Sequence, residues 1–316
     1  MGARGLNRAE DAPGHGRSAA WLSGIVGHAA ACGLTAVEPR ILRDGGNGVV
    51  WLHPHPVVAR LLRLFPEDDA EAERSVAARE LDVARHLRRQ GVLAAQPTPL
   101  AEPGPHRVAG GWLTLWEYLP PAPRVLPEPD ARARRVREMD GALATYPGAL
   151  PRLGAWARAP RPADVAERGP GAVDIAARLC DWWAALDAHW RVADLAPAHG
   201  DAHLGNLLPG PDGWYWIDFE DASLMPRWWD MASMVAADLW RVSDPGTRLD
   251  SVMAVCAVEP ADARAFGWAL AGRAVWSLAW NLRLAQAHLG DAAWVQEQLV
   301  GVPRLLAGLA SVGVSL

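Results

Sequence analysis

With 316 residues, 50% of them hydrophobic and 21% charged, the chain can bury a sizeable core and has the balance of an ordinary globular enzyme. A formal charge of −5 without any basic stripe gives no footing for nucleic acid. No apolar run is long enough to span a membrane, and no signal peptide is visible. Cys32, Cys180 and Cys256 are too far apart for a zinc motif or a disulfide framework, so they predict reduced thiols in a cytoplasmic protein. The chain has no lysine, which excludes a Schiff base and a G-x-x-x-x-G-K-[ST] phosphate loop. Before residue 120 there are 13 arginines and 13 acids; beyond it, 18 and 23. That tilt suits either a cationic ligand or a solvated acidic surface.

In chain order, residues 1–17 are polar and glycine-rich and read as a flexible tail. A helix is predicted over 18–32. Two apolar β-rich runs within 47–65, separated by His-Pro-His-Pro, predict an antiparallel strand pair. Apolar residues at helical spacing predict a helix over 70–90, stopped at Gly91. Two further strands around a Pro/Gly turn end near Leu119, and a proline-rich link occupies 120–129. Helices are then predicted over 130–143, 173–189, 230–242, 260–288 and 292–300, with a last short one opening at Pro303. The order predicts an α+β protein of two lobes with a cleft between them: an N-lobe over 18–119 and a mainly helical C-lobe over 120–316.

One hairpin interrupts the helical part. "HGDAHLGNLL" begins at His199, the turn "PGPDG" follows, and the chain then reaches "IDFED" at Ile217. Pairing of the apolar runs on either side of the turn brings Asp201, Asn206 and Asp218 together. Oxygen ligands of this kind suit Mg²⁺, which prefers one or two carboxylates plus phosphates and water.

"HGDAHLGN", "IDFED" and the later "WWDMAS" resemble the H-x-D-x-x-x-x-N, I-D-F/W and D-[LM]-A signatures of the aminoglycoside phosphotransferase family, which is similar in fold to the protein kinases. The resemblance runs from about Arg43 to the C-terminus. It implies a small β-rich N-lobe with one key helix, a larger helical C-lobe, ATP or GTP as phosphoryl donor, and Mg²⁺. It also implies Asp201 as proton acceptor, Asn206 and Asp218 as metal ligands, His199 packed beneath the catalytic loop, and Asp230 bracing that loop. His203 stands where protein kinases carry a lysine; it either donates to phosphate or substrate or hydrogen-bonds locally. Glu220 and Asp221 either approach a second metal or face solvent.

The same resemblance assigns Arg60, at the end of "VVAR", to the α/β-phosphates and pairs it with Glu80. The family has lysine there, and Arg63 is the competing candidate, although it would face the other side of a regular strand. "RDGGNG", with Gly46 and Gly48, is either a phosphate-covering loop or an ordinary hairpin entry. "LWEYL", with Trp116, Glu117 and Tyr118, is the implied hinge that reads the nucleobase. Of the 17 tryptophans, Trp240, Trp276 and Trp280 are candidates for an acceptor wall, with core packing as the alternative. The acceptor is then a small-molecule alcohol: an antibiotic first, a metabolite such as an amino alcohol or sugar second. A nucleotide-binding pseudokinase is the rival reading, motivated by the missing lysine. No motif speaks for a hydrolase, and oligomeric state is not legible.

Overall fold

The computed structural model describes residues 15–45, 47–63, 69–123, 125–166 and 173–316. Helix α1 (His15–Ala31) precedes three consecutive antiparallel strands, β1 (Glu38–Asp44), β2 (Asn47–His53) and β3 (Val57–Leu62). Helix α2 (Ala70–Arg89) follows, capped by Asp69, whose carboxylate accepts from the Glu71 and Ala72 N–H groups. Strands β4 (His106–Val108) and β5 (Gly111–Glu117) complete a five-stranded sheet in the order β1-β2-β3-β5-β4. The alternation of β3 decides the architecture of this part. Val57, Ala59 and Leu61 join Trp21 and Ile25 of α1 in one core cluster. Val58, Arg60 and Leu62 face the other side, where α2 covers the sheet.

The remainder is mainly helical. α3 (Pro129–Leu143), two single-turn helices α4 (Gly154–Arg158) and α5 (Pro162–Ala166), and α6 (Val173–Trp190) precede the segment that holds the hairpin. α7 (Trp229–Trp240), α8 (Pro245–Val255), α9 (Ala263–Gln286) and α10 (Ala292–Gly308) follow it. Between them lie two nested strand pairs. β6 (Leu195–Ala198) pairs antiparallel with β9 (Ser223–Pro226), and inside that pair β7 (Leu207–Gly210) pairs with β8 (Gly213–Trp216). Nesting forces segment 199–206 to lie against segment 217–222. A large core joins α2, α3, α6, α7, α9 and α10, with Trp156, Trp190, Trp216 and Trp229 almost fully buried.

Several elements depart from the sequence reading. α1 starts at His15, inside the predicted tail, whose residues 1–14 lie outside the described ones. β1 was not foreseen; it is a sheet edge that exposes Ile41 and Leu42 and shows no alternation. The β4–β5 turn falls at Ala109-Gly110, both with positive φ, rather than at the Pro/Gly pair. The short elements α4, α5, β6, β9 and α8 were also missed; α8 opens on an Asp244 cap followed by Pro245. Pro303 does not start a helix but lies inside α10. An internal proline costs about 3 kcal/mol, and burial of Val302, Leu305 and Leu306 on both sides of the site offsets it. Among the described residues no helix is long and apolar enough to cross a membrane.

Candidate active site

The catalytic segment is held from below. Asp230, in the first turn of α7, accepts hydrogen bonds from the His199 N–H at 2.6 Å and the Gly200 N–H at 3.0 Å. Fully buried His199 accepts from the Asp201 N–H at Nδ1 (3.3 Å), which leaves Nε2–H to donate to the Ile217 carbonyl at 3.0 Å. One ring thereby ties the two facing segments together. Gly200 adopts φ +88°, and a Cβ there would fall 2.2 Å from the Asp221 carbonyl oxygen. Gly200→Ala is therefore expected to destabilise the fold by at least about 1–3 kcal/mol from the backbone conformation alone, read by chemical denaturation.

Asp201 sits between three partners. Its Oδ2 accepts from Asn206 Nδ2 at 3.2 Å and lies 3.4 Å from His203 Nε2; its Oδ1 pairs with Arg273 at 2.5 Å. Burial alone would raise this carboxyl, but the Arg273 guanidinium, with His203 and His199, holds it well below the usual carboxylate range. Asn206 Nδ2 also donates to the Asp201 carbonyl at 2.9 Å, so the amide oxygen points the other way. His203 caps the 3₁₀ turn (Leu204–Asn206) by accepting from the Gly205 N–H at 2.8 Å. Ile217 N–H donates to the Asn206 carbonyl at 3.1 Å, which places Asp218 just beyond the end of the hairpin ladder, in a left-handed conformation with φ +69°.

From β3, Arg60 binds three carboxylates. Nη1 donates to Glu80 at 2.8 Å, and Nη2 donates to Asp218 at 2.5 Å and to Glu220 at 2.6 Å. A planar guanidinium can bridge partners on two edges at once, which a lysine point charge cannot. Arg63 faces the opposite side, over the Trp21 ring, where it pairs with Asp44. Glu80 also accepts from the Phe219 N–H at 3.2 Å, so α2 touches the same segment that carries Asp218. Burial raises Glu80 and Asp218 against the pull of Arg60, whereas Arg60 and Arg158 outweigh burial and lower Glu220. Glu80, Asp218 and Glu220 thus share one guanidinium, with Arg158 acting on Glu220 as well.

Some predicted residues lie elsewhere. A Cβ at Gly48 would meet Trp21 and Arg63, on the face of the sheet opposite Arg60; from this loop it is Asn47 that reaches the carboxylate cluster, donating to Glu220 at 3.0 Å. Gly46 lies outside the described residues. Trp116 is buried, with Nε1 donating to Thr114. The Glu117 and Tyr118 N–H groups donate to the Gln96 and Pro56 carbonyls, so these two hinge donors are already engaged within the protein. The Tyr118 ring stacks on Trp51 at 4.2 Å. Neither Glu220 nor Asp221 is free in solvent: Asp221 is buried and paired with Arg158 at 2.8 Å. Trp240 is a core residue packed on Trp294 and against Gly301 of α10, because α7 runs away from the catalytic segment that its first turn holds. Trp276 and Trp280 share a face of α9, with Trp276 beneath Arg273 at 4.3 Å.

Arg273, Arg158, Asn47 and Trp229 were missed. Trp229 donates to the Gly200 carbonyl at 2.7 Å, and Gly272 lets α9 approach the Trp190 and Trp229 rings, since a Cβ there would meet Trp190 at 2.5 Å. That approach sets Arg273 against Asp201. No local motif marks these residues; only the absence of lysine hinted that arginines would carry the charge contacts.

Residues 37–268 match the model of the phosphotransferase enzyme family. The chain belongs to this family. It is therefore a phosphotransferase that uses a hydroxyl group as acceptor. No curated protein matches the sequence. Among solved structures, the family member is similar to amicoumacin kinase hAmiN in complex with AMP-PNP, Ca²⁺ and Ami, with a TM-score of 0.65 and 14% identity over 90% of this chain and 94% of that one. It is also similar to a microcompartment-associated aminopropanol kinase (TM-score 0.61, 18% identity, 88% and 94% covered). A third is choline kinase LicA from Streptococcus pneumoniae (TM-score 0.59, 13% identity, 91% and 98% covered). At such identities the likeness speaks for the fold, which is the two-lobed protein-kinase-like one.

Among the described residues no cluster of three or more His, Cys, Asp or Glu is placed to hold a metal ion by itself. A carboxylate from Asp218 and an amide oxygen from Asn206 are hard donors that suit Mg²⁺ once nucleotide phosphates and water supply the rest. The donor set fits that ion.

Proposed function

We propose that this phosphotransferase is a small-molecule kinase that moves the γ-phosphoryl group of ATP or GTP to a hydroxyl of an antibiotic or a similar alcohol. The observation that carries the reading is the convergence of Asp201, Asn206 and Asp218 opposite the Arg60–Glu80 pair. Asn206 and Asp218 would hold Mg²⁺, which would supply charge neutralisation at the phosphates. Arg60 would grip the α/β-phosphates, with Glu80 and Asp218 fixing its fork. Asp201 accepts a hydrogen bond from the acceptor hydroxyl and aims its oxygen at the γ-phosphorus. The new P–O bond forms as the bond to the β-phosphate oxygen breaks; the nucleoside diphosphate leaves and the hydroxyl proton passes to Asp201. An always ionised, weakly basic carboxylate suits this role, because a loose transition state needs orientation more than a strong base.

Kinases of antibiotics, choline and aminopropanol among the structural neighbours support a small alcohol as acceptor, and an antibiotic-modifying role is the first choice. The three free cysteines support a cytoplasmic setting. Incubation with γ-labelled ATP or GTP and a panel of antibiotics, amino alcohols and sugars tests the reading. Label transfer to an alcohol is expected, and it should disappear in Asp201→Ala. Nucleotide binding without transfer to any acceptor would instead favour a silent nucleotide-binding module.

A further inference from the structure

A buried cation lies beside Asp201. Arg273 is 5% exposed, lies 2.5 Å from Asp201 and is stacked over Trp276. Trp276 is itself fixed by its Nε1–H bond to the Ala155 carbonyl at 2.9 Å. Arg273, Trp276 and Trp280 stand at i, i+3 and i+7, so they form one stripe along α9 that starts at the reacting carboxylate. Two polar groups on this stripe have no acceptor among the described residues: Arg273 Nη1 and Trp280 Nε1. Both are donors. On the adjacent stripe Asn281 donates to the Ser277 carbonyl and Gln298 Nε2 donates to the Ser277 hydroxyl. Asp201 balances the Arg273 charge, and the other acids nearby are already taken up: Asp221 is paired with Arg158, and Glu220 with Arg60 and Asn47.

We propose that Arg273, with Trp276 and Trp280, is the specificity wall of the acceptor site, and that it selects an alcohol bearing a carboxylate or carbonyl oxygen close to the reacting hydroxyl over an alcohol bearing an ammonium there. This rests on the kinase reading above and narrows it. Such an oxygen gives the donors of the stripe the acceptors they lack, by a charge-assisted bond at Arg273. An ammonium in the same place meets a guanidinium of like charge and leaves both donors unmet. The aromatic faces cover the apolar remainder of the ligand.

Three probes of matched length decide it: 3-hydroxypropionate, 3-hydroxypropionamide and 3-aminopropan-1-ol. Each is offered with Mg²⁺ and γ-labelled ATP, and each is titrated by calorimetry into protein loaded with a non-hydrolysable ATP analogue. In the wild type, kcat/KM for the acid and the amide should exceed that for the amino alcohol by at least about tenfold, the worth of one charge-assisted bond. Arg273→Met should bring the three to near equality, and Arg273→Lys should keep the preference for the acid. Equal or better use of the amino alcohol by the wild type overturns the proposal without any variant. So does an unchanged preference in a folded Arg273→Met protein. If no probe is phosphorylated yet calorimetry shows the acid and amide bound over the amine, the wall stands and the kinase reading falls. If none of the three binds, the wall falls.

Discussion

Replacing Asp201 by alanine is expected to lower turnover by about 10²–10⁴-fold, the usual scale for a lost proton acceptor, while nucleotide affinity stays near that of the wild type. The separation follows from the geometry. Asp201 meets Arg273, His203 and Asn206, whereas Arg60, Glu80 and Asp218 form a separate cluster. Steady-state kinetics with an acceptor found in the screen, together with nucleotide titration, reads both halves. Arg273 lowers Asp201 despite its burial, so the carboxylate stays charged throughout the neutral range. The stability it contributes is present above the unfolded-state carboxylate value and is lost only as pH falls through the lower folded value. Asp201 is therefore not the group behind any loss of activity between pH 6 and 8.

Arg60→Met should have the largest effect on stability. The side chain is 8% exposed and is the common partner of Glu80, Asp218 and Glu220. Removing one member of a buried ion pair costs about 3–5 kcal/mol, because the remaining charges stay buried without their partner. Here three carboxylates would be left facing one another. Chemical denaturation should show that loss in the apo protein, and binding of the magnesium–nucleotide should weaken in the same variant. An Arg60→Met protein as stable as the wild type would mean that the cluster carries no net interaction. Arg60→Lys discriminates further: a single ammonium cannot bridge Glu80 on one edge and the Asp218–Glu220 pair on the other, so it should restore charge but not the full stability.

The parts of this molecule that were legible in its sequence are those written in local patterns. The Pro-Gly-Pro-Asp-Gly turn predicted the hairpin, and with it the approach of Asn206 to Ile217 and Asp218. Period-two alternation in "VVARLLR" put Arg60 and Arg63 on opposite faces, as found. Helical spacing placed α2 within one residue of its ends. What stayed hidden depends on contacts between distant segments. Arg273 lies 72 residues beyond Asp201, on a helix whose approach is set by Gly272 against two tryptophan rings. β1 lacks alternation because nearly every side chain on it is exposed. Pro303 read as a helix start because its cost is local and the packing that offsets it is not. The hinge was legible by position, but the engagement of its Glu117 and Tyr118 N–H groups depends on Gln96 and Pro56, which no spacing rule connects to it.

A crystal structure of the protein with Mg²⁺ and a non-hydrolysable ATP analogue would show where metal and phosphates sit. A metal is expected at about 2.0–2.1 Å from the Asn206 amide oxygen and an Asp218 carboxylate oxygen, with Arg60 on the α/β-phosphates and the terminal phosphate facing Asp201. A nucleotide bound outside this cleft, or a metal with no bond to Asp218, would contradict it.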